Sequence, residues 1–504
     1  MPEIGDNEAA YLLSPRAVFE PELLRGDFGL APDSLNRRLS APFGLLLAPA
    51  QVVFGDPLAV ALAGRVLGWS LFLFAVARLS RALAIPGWVM AVGVFHFAFF
   101  RQSVAAGEWL IGDTEPKVIA WGCLLLALAH GLRGEWLRAG LACGAATIFH
   151  VLVGGWGGLA LAIAALVTNA CPLQTLALRF VTPWLALSAP MLAVAASALG
   201  DPGADAAAPA SGAALLVLLR NPHHLDPFSF LDARSVAFIA LCMIGIGVAA
   251  RSVWPRERGA LVVAFACAAL AFFLAGVVAR GLGLFPLLQF YPFRLADSLL
   301  PLSFWLAYSG ILASAVAPLP GARRRRRALA AALLLGVVLT WERSHSGWPD
   351  PFAFVAAWKT HRERNGDPWR DTTDWIAGHT RAEDVFVAPP WLMDFPLRTA
   401  RPAVVHFKVT PGAGAMAEWH ERMLLLNGRA DFRSGGSSML AQLRSSYPRL
   451  QVDVLAELRE RYRARFYLNT QERPELAATL RFQNASYWLY DLERLTEAPR
   501  ETPP

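Results

Sequence analysis

Repeated apolar runs fill residues 57–342 and set the strongest limit on what this chain can fold into. Each run is about 17–23 residues long, which lets a helix cross about 30 Å of hydrocarbon. Helices are the expected spanning element, because lipid cannot satisfy the backbone groups of an open strand. We predict about ten spans, at residues 57–79, 84–100, 117–132, 136–150, 151–168, 176–198, 233–250, 259–280, 297–317 and 328–342.

Composition changes sharply after the last apolar run. Charged residues make up 17% of the chain, against about 25% in soluble domains. The deficit lies in the apolar region, and the end of the chain has ordinary soluble composition. We therefore predict an α-helical polytopic membrane protein with a soluble C-terminal α/β domain. Its parts are an outer N-terminal loop region (1–56), a transmembrane helical domain (57–342) and the soluble domain (343–504).

The C-terminal domain contains both strand-like and helical segments. Runs of β-branched and aromatic residues predict strands in DVFVAPP, PAVVHFKV, RARFYLN and YWLYDL. Amphipathic patterns predict helices in AMAEWHERMLLLNG, closed by Gly428, and in DVLAELRERYR. The five cysteines all lie in or beside apolar runs, so no disulfide framework and no cysteine-based metal site is predicted.

Arginines between the spans indicate an orientation. With an external N-terminus, the internal loops collect the basic residues expected of a cytoplasmic face, namely Arg78, Arg81, Arg133, Arg138, Arg179, Arg251, Arg256, Arg258 and Arg323 to Arg327. The net charge of +7 is then an orientation signal and does not indicate nucleic-acid binding. Segments 1–56, 101–116, 199–232 and 281–296 share the outer side with the tail.

Acidic residues are the first candidates for chemistry on that side. Asp6, Glu8 and Asp27 lie in the first outer segment, and Asp113 and Glu115 lie in the second with Glu108 and Lys117. A carboxylate at the membrane surface can act as a general base or hold a divalent cation. The alternatives are a solvated polar terminus for the first group and ordinary helix-start residues for the second.

Basic side chains form the second set of candidates. His223 and His224 stand beside Asp226 in the third outer segment, and could ligate a metal or bind phosphate. Arg294 follows aromatic residues just outside the ninth span and suits a lipid phosphate, unless it only extends to the headgroup layer. His150 lies at an outer turn, where a packed polar group is the plainer interpretation.

These features together resemble the GT-C class of polytopic glycosyltransferases. GDNEAAYL resembles the Asp/Glu-x-x-x-Tyr loop of that class. A stretch seen in several bacterial members is similar to GDTEPKVIAWGCLLLALAHGLRGEWLRAGLACGAATIFHVLVGGW. The C-terminal region of an uncharacterised bacterial membrane family associated with the class is similar to WIAGHTRAEDVFVAPPWLMDFPLRTARPAVVHFKVTP and EWHERM. The resemblance covers most of the chain and is more specific in the tail than over the spans.

The resemblance implies transfer of a sugar from a polyprenyl-phosphate donor, at the outer face of a bacterial inner membrane. The expected partners are this lipid-linked sugar and the bilayer, and the tail would be periplasmic. In this interpretation Asp6 or Glu8 deprotonates the acceptor, and Asp113 or Glu115 supports the site. The expected substrate-binding residues are Asp27, His150, His223, His224 and Arg294, with Arg294 near the phosphate.

Other interpretations stay open beside the transferase. A span precedes the first acidic loop in the class, so we expect either a start upstream of Met1 or loss of that helix. A non-catalytic membrane protein that binds a glycan or a partner is the main rival. A transporter is less favoured, because most acids lie outside the spans and no repeat is visible. The sequence leaves the donor, the acceptor, the cofactor and the oligomeric state open.

Overall fold

The computed structural model describes residues 4–99, 101–197, 212–316, 367–409 and 411–495. The chain divides into two compact units. The tail unit consists of Met1–Ala61, Ala198–Arg220 and Phe354–Pro504, and the membrane unit consists of Leu62–Ser197 and Asn221–Ala353. The N-terminal region therefore folds with the C-terminal domain, although the sequence analysis treated residues 1–56 as a separate region.

Apolar helices build the membrane unit, as the continuous apolar runs predict. The longer helices are Pro57–Ala82, Gly87–Phe99, Pro116–Gly131, Trp136–Phe149, Val151–Val167, Thr182–Ser197, Ala233–Ser252, Arg256–Gly281 and Arg294–Val316. Between them lie the short helices Leu173–Thr175, Pro222–Leu225, Pro227–Phe230 and Phe285–Leu288.

The first nine predicted spans each coincide with one of these apolar helices. Five are long and apolar enough to cross a membrane: Pro57–Ala82, Leu173–Ser197, Ala233–Ser252, Arg256–Gly281 and Arg294–Ala315. Four are shorter: Gly87–Ala98, Pro116–Gly131, Trp136–Phe149 and Val151–Val167. The tenth predicted span, 328–342, lies outside the described residues, so the number of about ten spans stays a prediction.

The helix of the sixth predicted span is irregular just before Pro183. Residues Leu176–Val181 form a π-helical stretch, and the Thr182 N–H donates to the carbonyl of Ala177. Pro183 has no N–H, and in a regular helix its ring would crowd the carbonyl of Arg179. A wider turn relieves this conflict.

Close packing fixes the turn between the helices Trp136–Phe149 and Val151–Val167. Gly154 faces Thr147 so closely that a Cβ there would collide with the Thr147 backbone. Gly158 packs in the same way against the Trp184 ring. Small residues let two helices approach within a membrane protein, and here they hold His150 between the two helices.

The N-terminal region is helical, which corrects its prediction as a loop. It contains the helices Asp6–Tyr11, Leu13–Ala17 and Leu35–Phe54. Ser34 caps the last of these, since its Oγ accepts the Arg37 N–H at 3.3 Å. This helix was not predicted because Pro42 and Pro49 interrupt its apolar run, which begins only after Arg38 and is therefore short.

A four-stranded mixed sheet lies in the C-terminal domain. Its strands are β1 (Val385–Val387), β2 (Ala464–Asn469), β3 (Leu480–Gln483) and β4 (Trp488–Asp491), in the order β1-β2-β4-β3. β1 pairs parallel with β2, and the other pairs are antiparallel. The core on this sheet contains Ile376, Phe386, Phe395, Phe466, Leu468 and Leu489. The helices are Pro368–His379, Phe395–Thr399, Met416–Leu426, Ser438–Ser446 and Val452–Tyr462.

The predicted α/β class holds for this domain, with one strand wrong and one missed. PAVVHFKV contributes only an isolated bridge from Ala403 to Phe386. That bridge is made by the Pro402 carbonyl and the Val404 N–H, while the Ala403 N–H faces away from β1 and donates to the side chain of Asp27 at 2.9 Å. β3 was not predicted, because LRFQ is only 4 residues long and lacks β-branched residues. Gly428, with φ 65°, follows the helix Met416–Leu426 as expected.

Candidate functional site

One buried carboxylate, that of Asp297, holds the loop 101–115 of the membrane unit. Its oxygens accept four hydrogen bonds, from Ser103 Oγ at 2.6 Å and from the N–H groups of Ala105, Ala106 and Glu108 at 2.7, 2.8 and 3.1 Å. Asp297 belongs to the first turn of the helix Arg294–Val316. The loop is therefore fixed relative to the start of that helix.

Gln102 braces the same loop from within. Its Oε1 accepts the N–H groups of Leu110 and Ile111 at 2.8 and 2.7 Å, while its Nε2 donates to the carbonyl of Ala98 at 3.1 Å. Arg101 adds hydrogen bonds from its guanidinium to two carbonyls of the loop. These bonds give the loop a defined backbone on which Glu108 can be positioned.

Glu108 is buried at the centre of a group of basic side chains. Its Oε1 accepts a hydrogen bond from Arg294 Nε at 2.7 Å and lies 3.9 Å from His224 Nδ1. Its Oε2 lies 3.8 Å from Lys117 Nζ, and the same Nζ is 3.0 Å from Glu115 Oε2. We call Glu108, Glu115, Lys117, His150, His224 and Arg294 the Glu108 cluster.

Arg294 joins His150 to this cluster. Its Nη1 donates to His150 Nε2 at 3.1 Å, and its guanidinium carbon lies 4.3 Å from the ring centre of Tyr291. The second ring nitrogen of His150 lies 3.3 Å from the N–H of Val153. Neutral imidazole has one accepting nitrogen, so the shorter contact to Arg294 determines the tautomer. His150 accepts from Arg294 only while it is uncharged.

The two adjacent histidines have different surroundings. His224 Nδ1 donates to the carbonyl of Ala106, which places the proton of the neutral ring on Nδ1 and the lone pair on Nε2. His223 is exposed, and its ring lies 4.1 Å from that of His224. His224 is therefore the member of the pair that belongs to the cluster.

Charge determines how these groups titrate. Burial by itself would raise the pKa of Glu108, but Arg294, His224 and Lys117 outweigh it and hold this pKa well below its ordinary value. Burial is the main cause that lowers the pKa of His224; Glu108 opposes this effect and Arg294 adds to it. At neutral pH the cluster thus holds an ionised carboxylate and an uncharged histidine.

Asp113 lies at the edge of the loop and is the more accessible acid there. Its carboxylate is 4.0 Å from Arg65 Nη2, and its side chain is 40% exposed against 8% for Glu115. Asp226 is paired elsewhere, with Arg280 at 2.9 and 3.3 Å. Asp113 is thus the loop carboxylate that a ligand in solution can reach most readily.

The acids of the N-terminal segment 1–56 belong to the tail unit. The Asp27 carboxylate is buried and accepts from Gly29, Leu30 and Ala403 N–H and from His406 Nε2, each at 2.9 Å. Burial alone would raise the pKa of Asp27, but His406 and the N–H donors lower it. This placement favours a structural role over the predicted contact with substrate.

Glu8 and Asp6 start the first helix of the tail unit. Glu8 Oε2 accepts the N–H of Gly5 at 3.1 Å and so caps the helix Asp6–Tyr11. The side chain of Asp6 lies outside the described part of the chain. Roles of Asp6 and Glu8 in catalysis stay predictions.

The structure brings together four of the predicted residues, namely Glu115, His150, His224 and Arg294. Sequence reasoning noted Glu108 and Lys117 without ranking them, and it missed Asp297. An acid inside an apolar span is a candidate in its own right, so the run RLADSLL contained the signal for Asp297. Among the described residues, no three His, Cys, Asp or Glu side chains are grouped to hold a metal ion.

Comparisons with known proteins give a partial match. A family model described as a domain of unknown function (DUF6798) matches residues 367–426. A structure of the oligosaccharyltransferase AglB from Archaeoglobus fulgidus, in complex with an inhibitory peptide and a dolichol-phosphate, is 12% identical, with a TM-score of 0.45. That match covers 93% of this chain and 65% of AglB.

A second structure of the Archaeoglobus fulgidus oligosaccharyltransferase, in complex with Zn and sulfate, is also 12% identical. Its TM-score is 0.41, and the match covers 85% of this chain and 58% of that protein. The chain thus spans less than two thirds of both proteins. Similarity at this level assigns neither activity nor substrate to this chain. No curated protein matches it in sequence.

Proposed function

We propose that this protein is a glycosyltransferase-like membrane protein that takes a sugar from a polyprenyl-phosphate carrier at the outer face of the cytoplasmic membrane. In this proposal the Glu108 cluster binds the phosphate of the carrier. The observation that supports it is the convergence of Lys117, His150, His224 and Arg294. These four come from separate segments of the chain and lie around one carboxylate.

The type of ligand follows from what the cluster already holds. Glu108 is an oxyanion, and its two oxygens face Arg294 on one side and Lys117 on the other. A phosphate presents oxygens of the same kind, and the planar guanidinium of Arg294 can bind two of them. We expect a phosphate to compete with Glu108 for Arg294, while Lys117 supplies a further positive charge.

The positions of the two cations favour a lipid-linked phosphate over a soluble one. Lys117 is the second residue of the apolar helix Pro116–Gly131, and Arg294 is the first residue of Arg294–Val316. Charges at the ends of apolar helices lie at the boundary between lipid and water. A polyprenyl phosphate holds its phosphate at that same boundary, with its apolar chain in the bilayer.

The proposed reaction is a displacement at the anomeric carbon of the sugar. An acceptor hydroxyl forms the new bond to that carbon, the bond from the carbon to the phosphate oxygen breaks, and the phosphate leaves with the bonding electrons. The hydroxyl proton passes to a carboxylate, and Arg294 and Lys117 neutralise the leaving phosphate. Asp113 is our candidate for this carboxylate, because its side chain is the most exposed of the three acids in the loop.

The rival function is binding without transfer. One observation favours it: both buried carboxylates of the cluster are ion-paired, which suits stable binding better than proton transfer. In that case the cluster would hold a phosphate or a glycan and no bond would be made. Asp113→Asn separates the two functions, since it should abolish transfer and leave phosphate binding intact.

Binding of a polyprenyl phosphate in nanodiscs tests the phosphate site. Arg294→Lys keeps the charge but loses the two-donor fork, which should weaken binding by roughly 10- to 150-fold, the equivalent of about 1.5–3 kcal/mol. Arg280→Lys is the matched control, because Arg280 also pairs with a carboxylate but lies outside the cluster. Equal affinities for the wild type and both variants would show that the Glu108 cluster does not bind the phosphate.

The orientation of the chain is a separate requirement. The proposal needs the cluster and the tail to lie on the side opposite the arginine-rich loops. Reporter fusions at Gly321 and Pro504 would test this, with a cytoplasmic signal expected at Gly321 only. A cytoplasmic signal at Pro504 would contradict the outer location.

A further inference from the structure

The helix Leu35–Phe54 presents an apolar stripe along one side. Ala41, Leu45, Pro49 and Val52 are exposed, at the three- and four-residue spacing that aligns side chains on one helix face. Leu45 is 63% exposed and Val52 is 68% exposed. No charged residue occurs between Arg38 and Asp56. Within the described part of the chain, this stripe is not covered by protein.

The opposite face of the helix is packed and holds it in place. Phe43 and Leu47 are each 2% exposed, and the Phe43 ring lies 6.2 Å from that of Tyr11. Gly44 approaches Ser14 so closely that a Cβ would lie 2.6 Å from the Ser14 carbonyl oxygen. The stripe is therefore a fixed surface of a folded helix.

Chain continuity limits how far this surface can be from a membrane. The helix ends at Gly55, whose φ of 66° reverses the backbone. Asp56 then caps the next helix, since its Oδ2 accepts the Ala59 N–H at 2.9 Å. That helix, Pro57–Ala82, is long and apolar enough to span a membrane. Two residues, Gly55 and Asp56, separate Phe54 from Pro57, so the three Cα–Cα steps between them span at most about 11 Å.

The helix Leu35–Phe54 has the length of a membrane span, but it is not among the described helices that are also apolar enough to cross a membrane. Pro42 and Pro49 leave the carbonyls of Arg38 and Leu45 without a helical N–H donor, and headgroup water at the boundary between lipid and water can hydrate both.

We propose that Leu35–Phe54 lies along the membrane surface and that its stripe contacts phospholipid directly. Helices that lie in the membrane interface bury an apolar face about 5–10 Å into the boundary between headgroups and acyl chains. Such a contact would fix the tail unit at a defined depth. Arg38, exposed at the start of the helix, would point to the headgroups. The inference does not depend on the proposed function.

Photocrosslinking of the full chain tests this contact. The photoreactive residue p-benzoyl-phenylalanine would replace Leu45 or Val52, and the protein would be placed in nanodiscs of phosphatidylethanolamine and phosphatidylglycerol. Asp374, 73% exposed on a helix of the C-terminal domain, is the control position. Mass spectrometry after irradiation should find phospholipid adducts at positions 45 and 52 at several times the control yield.

Two results would overturn the proposal. Lipid adducts no more frequent than at position 374 would mean that the stripe faces water. Crosslinks from positions 45 and 52 to another segment of this chain, or to a second copy, would mean that protein covers it. Because all variants carry the same group at exposed positions, elution of each as folded protein before irradiation excludes misfolding as the cause.

Discussion

The membrane unit and the tail unit each fix a loop with a single buried aspartate, yet only one of them gathers cations beside it. Asp297 binds one hydroxyl and three backbone N–H groups, and the loop it holds carries Glu108 to Arg294 and Lys117. Asp27 binds three backbone N–H groups and His406. A buried aspartate is thus a means of fixing a loop, and the surrounding charges decide whether the loop can serve a ligand.

Accessibility separates the two regions further. In the tail unit the side chains of His406 and Asp27 are 3% and 0% exposed, so the pair is closed to ligands. In the membrane unit Arg294 and His224 keep 15% and 23% of their side chains exposed. A ligand can therefore reach the Glu108 cluster without unfolding the loop, which is what the proposed phosphate site requires.

The largest expected effect is that of Asp297→Ala, which removes the acceptor of four hydrogen bonds. Each bond to a charged acceptor contributes about 1.5–3 kcal/mol, so the free energy of unfolding should fall by more than about 5 kcal/mol. We expect little folded protein on size-exclusion chromatography in detergent. Ser298→Ala is the control, because the Ser298 hydroxyl is buried with no hydrogen-bond partner among the described residues. Normal yield of the Asp297 variant would contradict the conclusion that Asp297 holds the loop 101–115.

Asp27→Asn should have a smaller effect, confined to the tail unit. We expect a loss of about 2–4 kcal/mol, because one carbonyl oxygen remains to accept hydrogen bonds. Hydrogen exchange of the peptides around Leu30 and Ala403 should speed up, while peptides of loop 101–115 should not change. Faster exchange in both places would mean that the loops held by Asp27 and by Asp297 are not independent.

The same variant gives the pH dependence of the tail unit a definite sign. The pKa of Asp27 is lowered in the folded state, so its stabilisation is complete above the unfolded pKa of about 3.9. It is lost as the pH falls through the lower folded value. The protection factor compares the exchange rate with that of the unfolded chain at the same pH. The ratio of the protection factors of wild type and Asp27→Asn should therefore be constant from pH 8 to about 5 and shrink below about pH 4. A constant ratio down to pH 3 would contradict the lowered pKa.

Glu108→Gln tests whether the charge of Glu108 competes with a phosphate in the membrane unit. Removing the resident negative charge leaves Arg294 and Lys117 freer to pair with a phosphate. We expect polyprenyl-phosphate binding to tighten by about tenfold, or about 1.4 kcal/mol. Asp27→Asn should leave this affinity unchanged. Weaker binding by the Glu108 variant would mean that Glu108 orders the cations and does not compete for them.

Asp113→Asn should change stability least. Its ion pair with Arg65 is long and partly exposed, and such pairs contribute about 0–1 kcal/mol. Thermal unfolding should match that of the wild type within this margin, which makes the variant suitable for measuring sugar release from a polyprenyl-linked donor. A large loss of stability would show that Asp113 has a structural role.

Local pattern made much of the fold predictable. The apolar runs at 57–79 and 259–280 coincide with helices because a long apolar segment becomes helical in lipid whatever its neighbours are. RARFYLN and the helix closed by Gly428 were also predictable, because the residue preferences for strand and helix are local and can be read within a few residues. The helix Leu35–Phe54 was missed because Pro42 and Pro49 interrupt its apolar run, and because Arg37 and Arg38 shorten that run.

The arrangement of charges was decided by tertiary structure. Ser103 and Asp297 are separated by 194 positions in the sequence, and Ala403 and Asp27 by 376. Each contact turns a loop into a fixed element, and the second ties PAVVHFKV to a loop of the N-terminal region. By itself the sequence determined which segments are apolar and which polar residues lie between them. Only packing decided which of those residues meet, because a buried charge is stable only where its partners converge on it.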